Sequence, residues 1–396
     1  MNPEAPFEWL EGAPRGEPVA LLHSGGEGQV LGFRAAAELL RVVDPDPGVF
    51  GALDAFLARH HTRTVVASFG YDLRDAIEAL PRRIPADLDQ PVLLAAAFDE
   101  RIEFGALPPP APCDVPAATG LQPTPTREAY EACVARVIEH IRAGDIFQAN
   151  LTQPFTGRFD GDPRRLFQRL CAVSPAPFAA YFEDGEGLAV LSASPEEFLR
   201  LDGRAVRTRP IKGTRPRDRD PARDDALRAE LRASRKDLAE LAMSGDLLRN
   251  DRGKVAEIGS VRVGPFPEQA SFAQVHHLFA TVEARLRGDV TVGDLLHATF
   301  PGGSITGAPK LRCMEILEEL EWARRGIYTG SVGWIGPGPQ MHLNIAIRTM
   351  VVRDGIVRFH VGGGVTADSD PAAEYEETLH KAAGLLEALR AEVGAR

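Results

Sequence analysis

Lysine is scarce in this chain. Of 45 basic residues in 396, only five are lysine (212, 236, 254, 310 and 381) and 40 are arginine. A chain that uses Arg wherever positive charge suffices leaves each Lys in need of a reason, because an ammonium can lose its proton and act as a nucleophile while a guanidinium stays charged. Cysteine is scarce too. Cys113, Cys133, Cys171 and Cys313 are scattered with no C-x-x-C pair, which argues against a zinc site and a disulfide framework and fits a reduced cytosol. No apolar run approaches the ~20 residues of a membrane span. The stretch Met1-Asn2-Pro3-Glu4-Ala5-Pro6 lacks the basic and apolar regions of a signal peptide. Positive charge is in deficit: the net charge of −11 and pI near 5.5 argue against a nucleic-acid-binding surface. An anionic small substrate stays open if a metal or a local Arg/Lys cluster offsets that charge. There is no G-x-S-x-G, no zinc-ligand spacing and no repeat, so hydrolase readings have no foothold.

What is present is globular: 44% hydrophobic and 26% charged residues, enough chain for one large domain or two. Residues 19–33 read as strand, Gly-Gly turn and strand, and Val65–Tyr71 and Val92–Phe98 as buried strands. Seven prolines in positions 106–125 mark a stiff linker or crossing loop. The expected organisation is a β-rich region at 1–105, that linker, and a catalytic region at 126–396. Tyr130, Val134, Val137 and Ile141 stripe a helix that Gly144 ends. Ser234 caps a helix over 235–249, with Asp237 completing a capping-box-like pair. Residues 216–225 read as a mobile charged loop. Pro309 starts a helix with Leu311, Met314, Leu317 and Leu320 inward, 341–361 form a hairpin around Asp354-Gly355 ended by Gly362-Gly363-Gly364, and a last helix begins at Asp370-Pro371. On the hairpin's first strand, Arg348 shares a face with Asn344 and Ala346, where small neighbours leave it room to reach a ligand. Many strands, few helices and hairpin turns predict an α+β fold with an antiparallel β-sandwich core flanked by helices, not a doubly wound nucleotide fold.

The candidate chemistry centres on Lys212, in Arg207-Thr208-Arg209-Pro210-Ile211-Lys212-Gly213-Thr214-Arg215. The cations around it (207, 209, 215 and 217) favour its neutral form. Taken alone this is also what a solvated loop lysine looks like. Glu196, sixteen residues earlier, is a general acid if burial raises its pKa and an exposed loop acid otherwise. On the last helix Glu374, Glu377 and Lys381 share a face, and Asp237 and Glu240 repeat the i, i+3 acidic pair. Such pairs hold Mg²⁺ or are merely a solvated face. Phe300 to Lys310 is glycine-rich and leads into a helix N-terminus, but Ala308-Pro309 breaks the G-K-[ST] geometry of a phosphate loop. Gly362-Gly363-Gly364 permit close backbone approach to a ligand. His276-His277 offer an imidazole to polarise a substrate oxygen, or are structural.

In order along 126–390, the blocks Gly144-Asp145-Ile146-Phe147-Gln148, Ser194-Pro195-Glu196, Pro210-Ile211-Lys212-Gly213-Thr214, Asp246-Leu247-Leu248-Arg249-Asn250-Asp251, His277-Leu278, 300–310, Asn344-Ile345-Ala346-Ile347-Arg348-Thr349 and 362–381 resemble the chorismate-utilising enzymes, the family of anthranilate, aminodeoxychorismate, isochorismate and salicylate synthases. Leu21-Leu22-His23-Ser24-Gly25 resembles the family's amino-terminal strand, which in some members lines a tryptophan pocket. The resemblance implies Mg²⁺ held by Glu240 and Glu377, with Asp237 and Glu374 acting through water. It implies Lys212 as nucleophile, Glu196 as general acid and His277 as orienting partner. Tyr328, Arg348, the Gly362, Gly363 and Gly364 backbone and Lys381 would bind the substrate carboxylates, and Ser304 would support the ring carboxylate. Members that add water carry a lysine base where this chain has Gln148, which disfavours hydration. Anthranilate synthases typically carry alanine where this chain has Lys212, whereas lysine marks the members that form 4-amino-4-deoxychorismate. The implied partners are chorismate, ammonia and a separate glutamine amidotransferase subunit, since no cysteine sits in a plausible nucleophile turn. The complete acid, lysine and metal blocks argue against a non-catalytic chorismate- or tryptophan-binding subunit. One departure is Ser244-Gly245, where the family is usually apolar, which raises a question about packing near Glu240.

Overall fold

The computed structural model of the chain describes residues 5–23, 29–85, 90–105, 110, 113–271 and 275–391. Among the described residues seventeen strands join one antiparallel ribbon, with Arg262–Val263 and Gly307–Ala308 as two-residue additions to it. It runs through Thr119–Pro123, Gln148–Arg158, Ile356–Val365, Thr349–Arg353, Leu188–Ser194, Phe178–Glu183, Val19–His23 and Val30–Val42. It continues through Leu93–Phe104, Thr64–Phe69, Ser331–Ile335, Gln340–Asn344, Glu197–Asp202, Ala205–Arg209 and Val282–Arg285. Strands from 1–105 therefore pair directly with strands from 126–396.

The alternation of side chains shows how the ribbon folds. Ala20 and Leu22 pack with Val66, Leu94, Ala96 and Val190, a cluster drawn from both halves of the ribbon. Their neighbours Val19 and Leu21 face the opposite way, onto Leu166, Leu170 and Leu385 of helices Pro163–Val173 and Pro371–Leu389. Val65, Ala67, Leu93 and Ala95 likewise turn away from the shared cluster, toward Phe50, Leu53 and Leu295 of helices Val49–Arg59 and Val292–Thr299. Two sheet layers thus meet face to face, with helices on their outer faces. Both faces of such strands are apolar, which is why 92–98 reads as an unbroken hydrophobic run. The α+β sandwich is the expected class.

Several local expectations are corrected. Residues from Pro221 onward are not a loop but helix Pro221–Ala233; the Asp220 side chain caps it and Pro221 starts it, a signal hidden by the surrounding charge. Leu311 is 44% exposed, and Cys313 and Ile316 take the inward positions of helix Lys310–Leu320. The hairpin's first strand is broken: Gln340–Asn344 pairs with 331–335 and 197–202, and pairing with 188–194 resumes at Thr349 after Arg348 at φ +50°. Alternation did not reveal the break because Ile345 and Ala346 are both buried. The triple glycine lies inside strand 356–365, opposite Asn150, Leu151 and Thr152, not beyond it. In the proline-rich segment Cys113, Val115, Ala118 and Leu121 are buried, and Thr119–Pro123 joins the sheet. All four cysteines are free. Among the described residues no helix is long and apolar enough to cross a membrane.

Arg252 is an unusual core residue. Its side chain is fully buried, donates Nη1 to the Leu248 carbonyl at 2.9 Å, and leaves Nε and Nη2 without partners among the described residues. Burial lowers its pKa to about 10. Its neighbour Asp251 is already paired, with Lys310 at 2.7 Å and Lys254 at 3.2 Å. Replacing a buried charge of this kind with an apolar side chain often stabilises a protein, so Arg252→Leu is expected to add about 1–2 kcal/mol. A urea midpoint shifted upward at constant slope would show it; a lower midpoint would mean the guanidinium contributes more than its one bond.

Candidate active site

The site is built where the small sheet of Ile211–Pro216, Val275–Phe279 and Glu268–Ser271 meets helix Arg235–Gly253 and the C-terminal helix. Lys212 sits opposite Leu278, and the register slips between Lys212 and Thr214 because Gly213 takes φ +78°. A Cβ at Gly213 would lie 2.8 Å from Cγ of Asp237. Gly213→Ala is therefore expected to cost about 1–2 kcal/mol through left-handed strain and to push Asp237 out of place. Thermal unfolding together with chorismate turnover would reveal both effects, and an unchanged variant would contradict the packing.

Lys212 donates Nζ to the Ser304 carbonyl at 3.3 Å, and Ser304 Oγ donates to Glu196 Oε1 at 2.6 Å. Glu196 is fixed by its own backbone: its N–H donates to Ser194 Oγ at 3.2 Å and its carbonyl accepts from Ile345 N at 3.0 Å. Glu196 is only 5% exposed. Burial raises its pKa to about 7, against the lowering effects of the Ser304 bond and the Lys212 charge. Burial also lowers the Lys212 pKa from its ordinary value, against the pull of Glu240 and Glu196. A lysine that deprotonates more readily therefore stands one serine away from a carboxylic acid that keeps its proton near neutrality. A small cavity beside them is lined by Gln148, Lys212, Ser244, Leu247, Ser304 and Gly307, among others. Ser244 answers the packing question: it is buried and lines this cavity, and Gly245 sits beside Ala280.

His277 lies across the small sheet from Thr214, whose Oγ1 is 2.9 Å from its Nδ1. Burial lowers its pKa to about 4, helped by the charge of Arg348, so the imidazole is neutral at physiological pH. Arg348 is itself lowered by burial. Tyr328 is buried and stacks on His360 at 5.5 Å and 15°.

The acidic side is formed by two helices. A Cβ on Gly363 would lie 3.0 Å from Glu374 Oε2, 3.3 Å from Glu377 Oε1 and 3.7 Å from Lys381 Nζ, so three charged groups crowd this backbone. Lys381 Nζ pairs with Glu377 Oε1 at 2.7 Å and donates to the Gly362 carbonyl at 2.9 Å. Ser369 Oγ donates to Glu374 Oε1 at 2.6 Å, while Glu374 Oε2 is buried with no partner among the described residues. Burial pushes the Glu374 and Glu240 carboxyls above their usual range. Burial pushes Glu377 up as well, but Lys381 more than offsets it and its carboxyl falls below the usual range. Among the described residues no three His, Cys, Asp or Glu side chains gather as a metal-holding group. The orphaned Glu374 oxygen beside the Glu377 carboxylate, with Glu240 and Asp237 contributing to the same field, nevertheless supplies the hard oxygen donors that suit Mg²⁺.

The five lysines divide cleanly. Lys254 and Lys310 hold Asp251, which closes the phosphate-loop reading of Lys310. Lys212, Lys236 and Lys381 all act on the acidic site. Lys236 was not singled out by its motif; the scarcity of lysine was the signal that could have found it. Leu22 and His23 line a separate cavity with Phe178, Trp334 and Asn344, and Ser24 and Gly25 of that motif lie outside the described residues.

Residues 46–387, which hold Glu196, Lys212, Ser304 and the acidic groups, match the family model for chorismate binding enzymes, and the chain belongs to that family. It is an enzyme that acts on chorismate. It is 40% identical over 384 residues to anthranilate synthase component 1 of Streptomyces coelicolor, covering 92% of this chain and 73% of the relative. It is also 40% identical over 343 residues to aminodeoxychorismate synthase component 1 of Klebsiella aerogenes, covering 81% and 76%. The crystal structure of anthranilate synthase component I from Streptococcus pneumoniae superposes with a TM-score of 0.78 at 25% identity, covering 89% of this chain and 91% of that one. Relatives named for two different products are thus equally similar, and the choice between them falls to individual residues.

Proposed function

We propose that the protein forms 4-amino-4-deoxychorismate from chorismate and ammonia. The observation that carries this reading is the Lys212–Ser304–Glu196 contact, a nucleophilic amine joined through one serine to a carboxylic acid with a pKa of about 7. Neutral Lys212 attacks C2 of the chorismate ring as the double bonds shift, and the C4–O bond breaks with the proton of Glu196 going to the departing water. Ammonia then adds at C4, and the C2–nitrogen bond to Lys212 breaks as the double bonds return. Neutral His277 orients the reacting groups. Tyr328, Arg348, Lys381 and the 362–364 backbone bind carboxylates, and Ser304 supports the ring carboxylate. Glu240 and Glu377, with Asp237 and Glu374 through water, would hold Mg²⁺, which when bound neutralises the ring carboxylate and draws electrons toward it. Gln148, unable to serve as a base, disfavours water as the nucleophile.

The second reading, anthranilate formation, is favoured by the equal similarity to anthranilate synthase component 1. In both readings ammonia comes from glutamine through a separate amidotransferase. Purified protein is therefore expected to consume chorismate with Mg²⁺ and ammonium, and to ignore glutamine until such a subunit is added. Turnover with glutamine alone would contradict the partner assignment.

A further inference from the structure

Ser304 links the acid to the lysine, yet it stands in a turn with little rigidity of its own. Gly302, Gly303 and Gly307 surround it, and glycine leaves backbone freedom that a side chain would remove. What holds the turn is a guanidinium set apart from the reacting groups. Arg325 is 3% exposed, and each of its five N–H groups finds an acceptor. Nη1 donates to the Ile305 carbonyl at 3.1 Å and to Thr329 Oγ1 at 3.2 Å. Nη2 donates to the Asn150 carbonyl at 2.6 Å and to Glu321 Oε1 at 2.7 Å, and Nε donates to Glu321 Oε2 at 3.0 Å. Glu321 is seated in turn by the Thr152 N–H at 3.1 Å and hydroxyl at 2.9 Å. The Tyr71 ring lies 4.4 Å from the guanidinium carbon.

Three segments that carry site residues thus meet at one side chain. Ile305 follows Ser304, and Thr329, at φ +59°, follows Tyr328. Asn150 lies just beyond the cavity-lining Gln148 and gives its own N–H to the Thr306 carbonyl at 3.0 Å. A lysine cannot replace this fork, because its N–H groups radiate from a single nitrogen. We propose that Arg325 is a positioning residue for the reaction: by fixing the 303–306 turn against the 148–152 strand and Glu321, it sets the place of Ser304 relative to Glu196 and Lys212. It touches no reacting atom and acts through Ser304. This rests on Glu196 as the general acid, as given above, and adds the residue that aligns it.

The test is the pH profile of the purified enzyme, followed by loss of chorismate whichever product forms. Glu196 is faced by the Ser304 hydroxyl, the Lys212 charge and the Ile211 N–H, all of which lower its pKa against burial. In Arg325→Lys the Ser304 bond slackens. The kcat is expected to fall roughly 10²-fold, the cost of a misplacement of about 1 Å, and the alkaline limb to move to higher pH. Ser304→Ala should move that limb the same way. Adding Arg325→Lys to it should cost less than about threefold more, because residues acting through one another are not additive. A role in stability alone would lower activity and leave the limb in place. Where thermal unfolding shows that Arg325→Lys does not fold, Glu321→Gln, which weakens the anchor and keeps its shape, carries the same readouts. An unmoved limb, or losses that multiply in the double variant, would overturn the proposal and leave the Glu196 assignment standing. An alkaline limb that survives Glu196→Gln would instead overturn that assignment, and the proposal with it.

Discussion

Lys212→Ala is expected to lower formation of 4-amino-4-deoxychorismate by roughly 10³-fold or more, the scale of losing a covalent nucleophile whose partners act as a unit. The side chain donates to the Ser304 carbonyl, a bond the Glu196–Ser304 contact does not need, so its loss should leave the fold and that contact intact. Chorismate binding, followed by calorimetry, should fall far less than kcat. The vacated space lets ammonia approach C2, so any residual product is expected to carry its nitrogen there, as the 2-amino isomer or, once the enolpyruvyl group has left as pyruvate, as anthranilate. Retention of aminodeoxychorismate formation by this variant would end the nucleophile assignment.

Glu196→Gln is expected to cost roughly 10²- to 10⁴-fold in kcat, the usual contribution of a general acid. The pH profile carries the more specific signature. An acid must be protonated to act, and Glu196 has a pKa of about 7 because it is buried. The Glu196 contribution to activity should therefore be full below that pH and decline as pH rises through it. Lys212 must be neutral to attack, and its pKa is lowered by burial, so a second limb should fall toward acid. The alkaline limb should disappear in Glu196→Gln, while the acid limb remains. An alkaline limb that survived the substitution would assign the titration to another group.

Much of this site was legible from residue types alone. The scarcity of lysine pointed to Lys212, and the i, i+3 acidic pairs pointed to two helices that do bring their carboxylates to one field. What the chain could not show is the route between distant segments. Ser304 joins Lys212 to Glu196 across 92 and 108 residues of sequence, and no local pattern encodes that contact. The break at Arg348 was hidden for a related reason: Ile345 and Ala346 turn inward to meet the Glu196 and Gly330 backbones, so tertiary pairing overrides the alternation. Charge masked the Asp220-Pro221 helix start. Burial, which sets the state of both Glu196 and Lys212, is a property of the folded cleft, and composition around Lys212 supplied only the arginines.

The measurement that bears most directly on the central claim is product identity. Purified protein, chorismate, Mg²⁺ and excess ammonium, separated by chromatography with mass detection, are predicted to yield 4-amino-4-deoxychorismate. Anthranilate as the main product would mean that ammonia reaches C2 despite Lys212, and would contradict the assignment of that residue as the nucleophile.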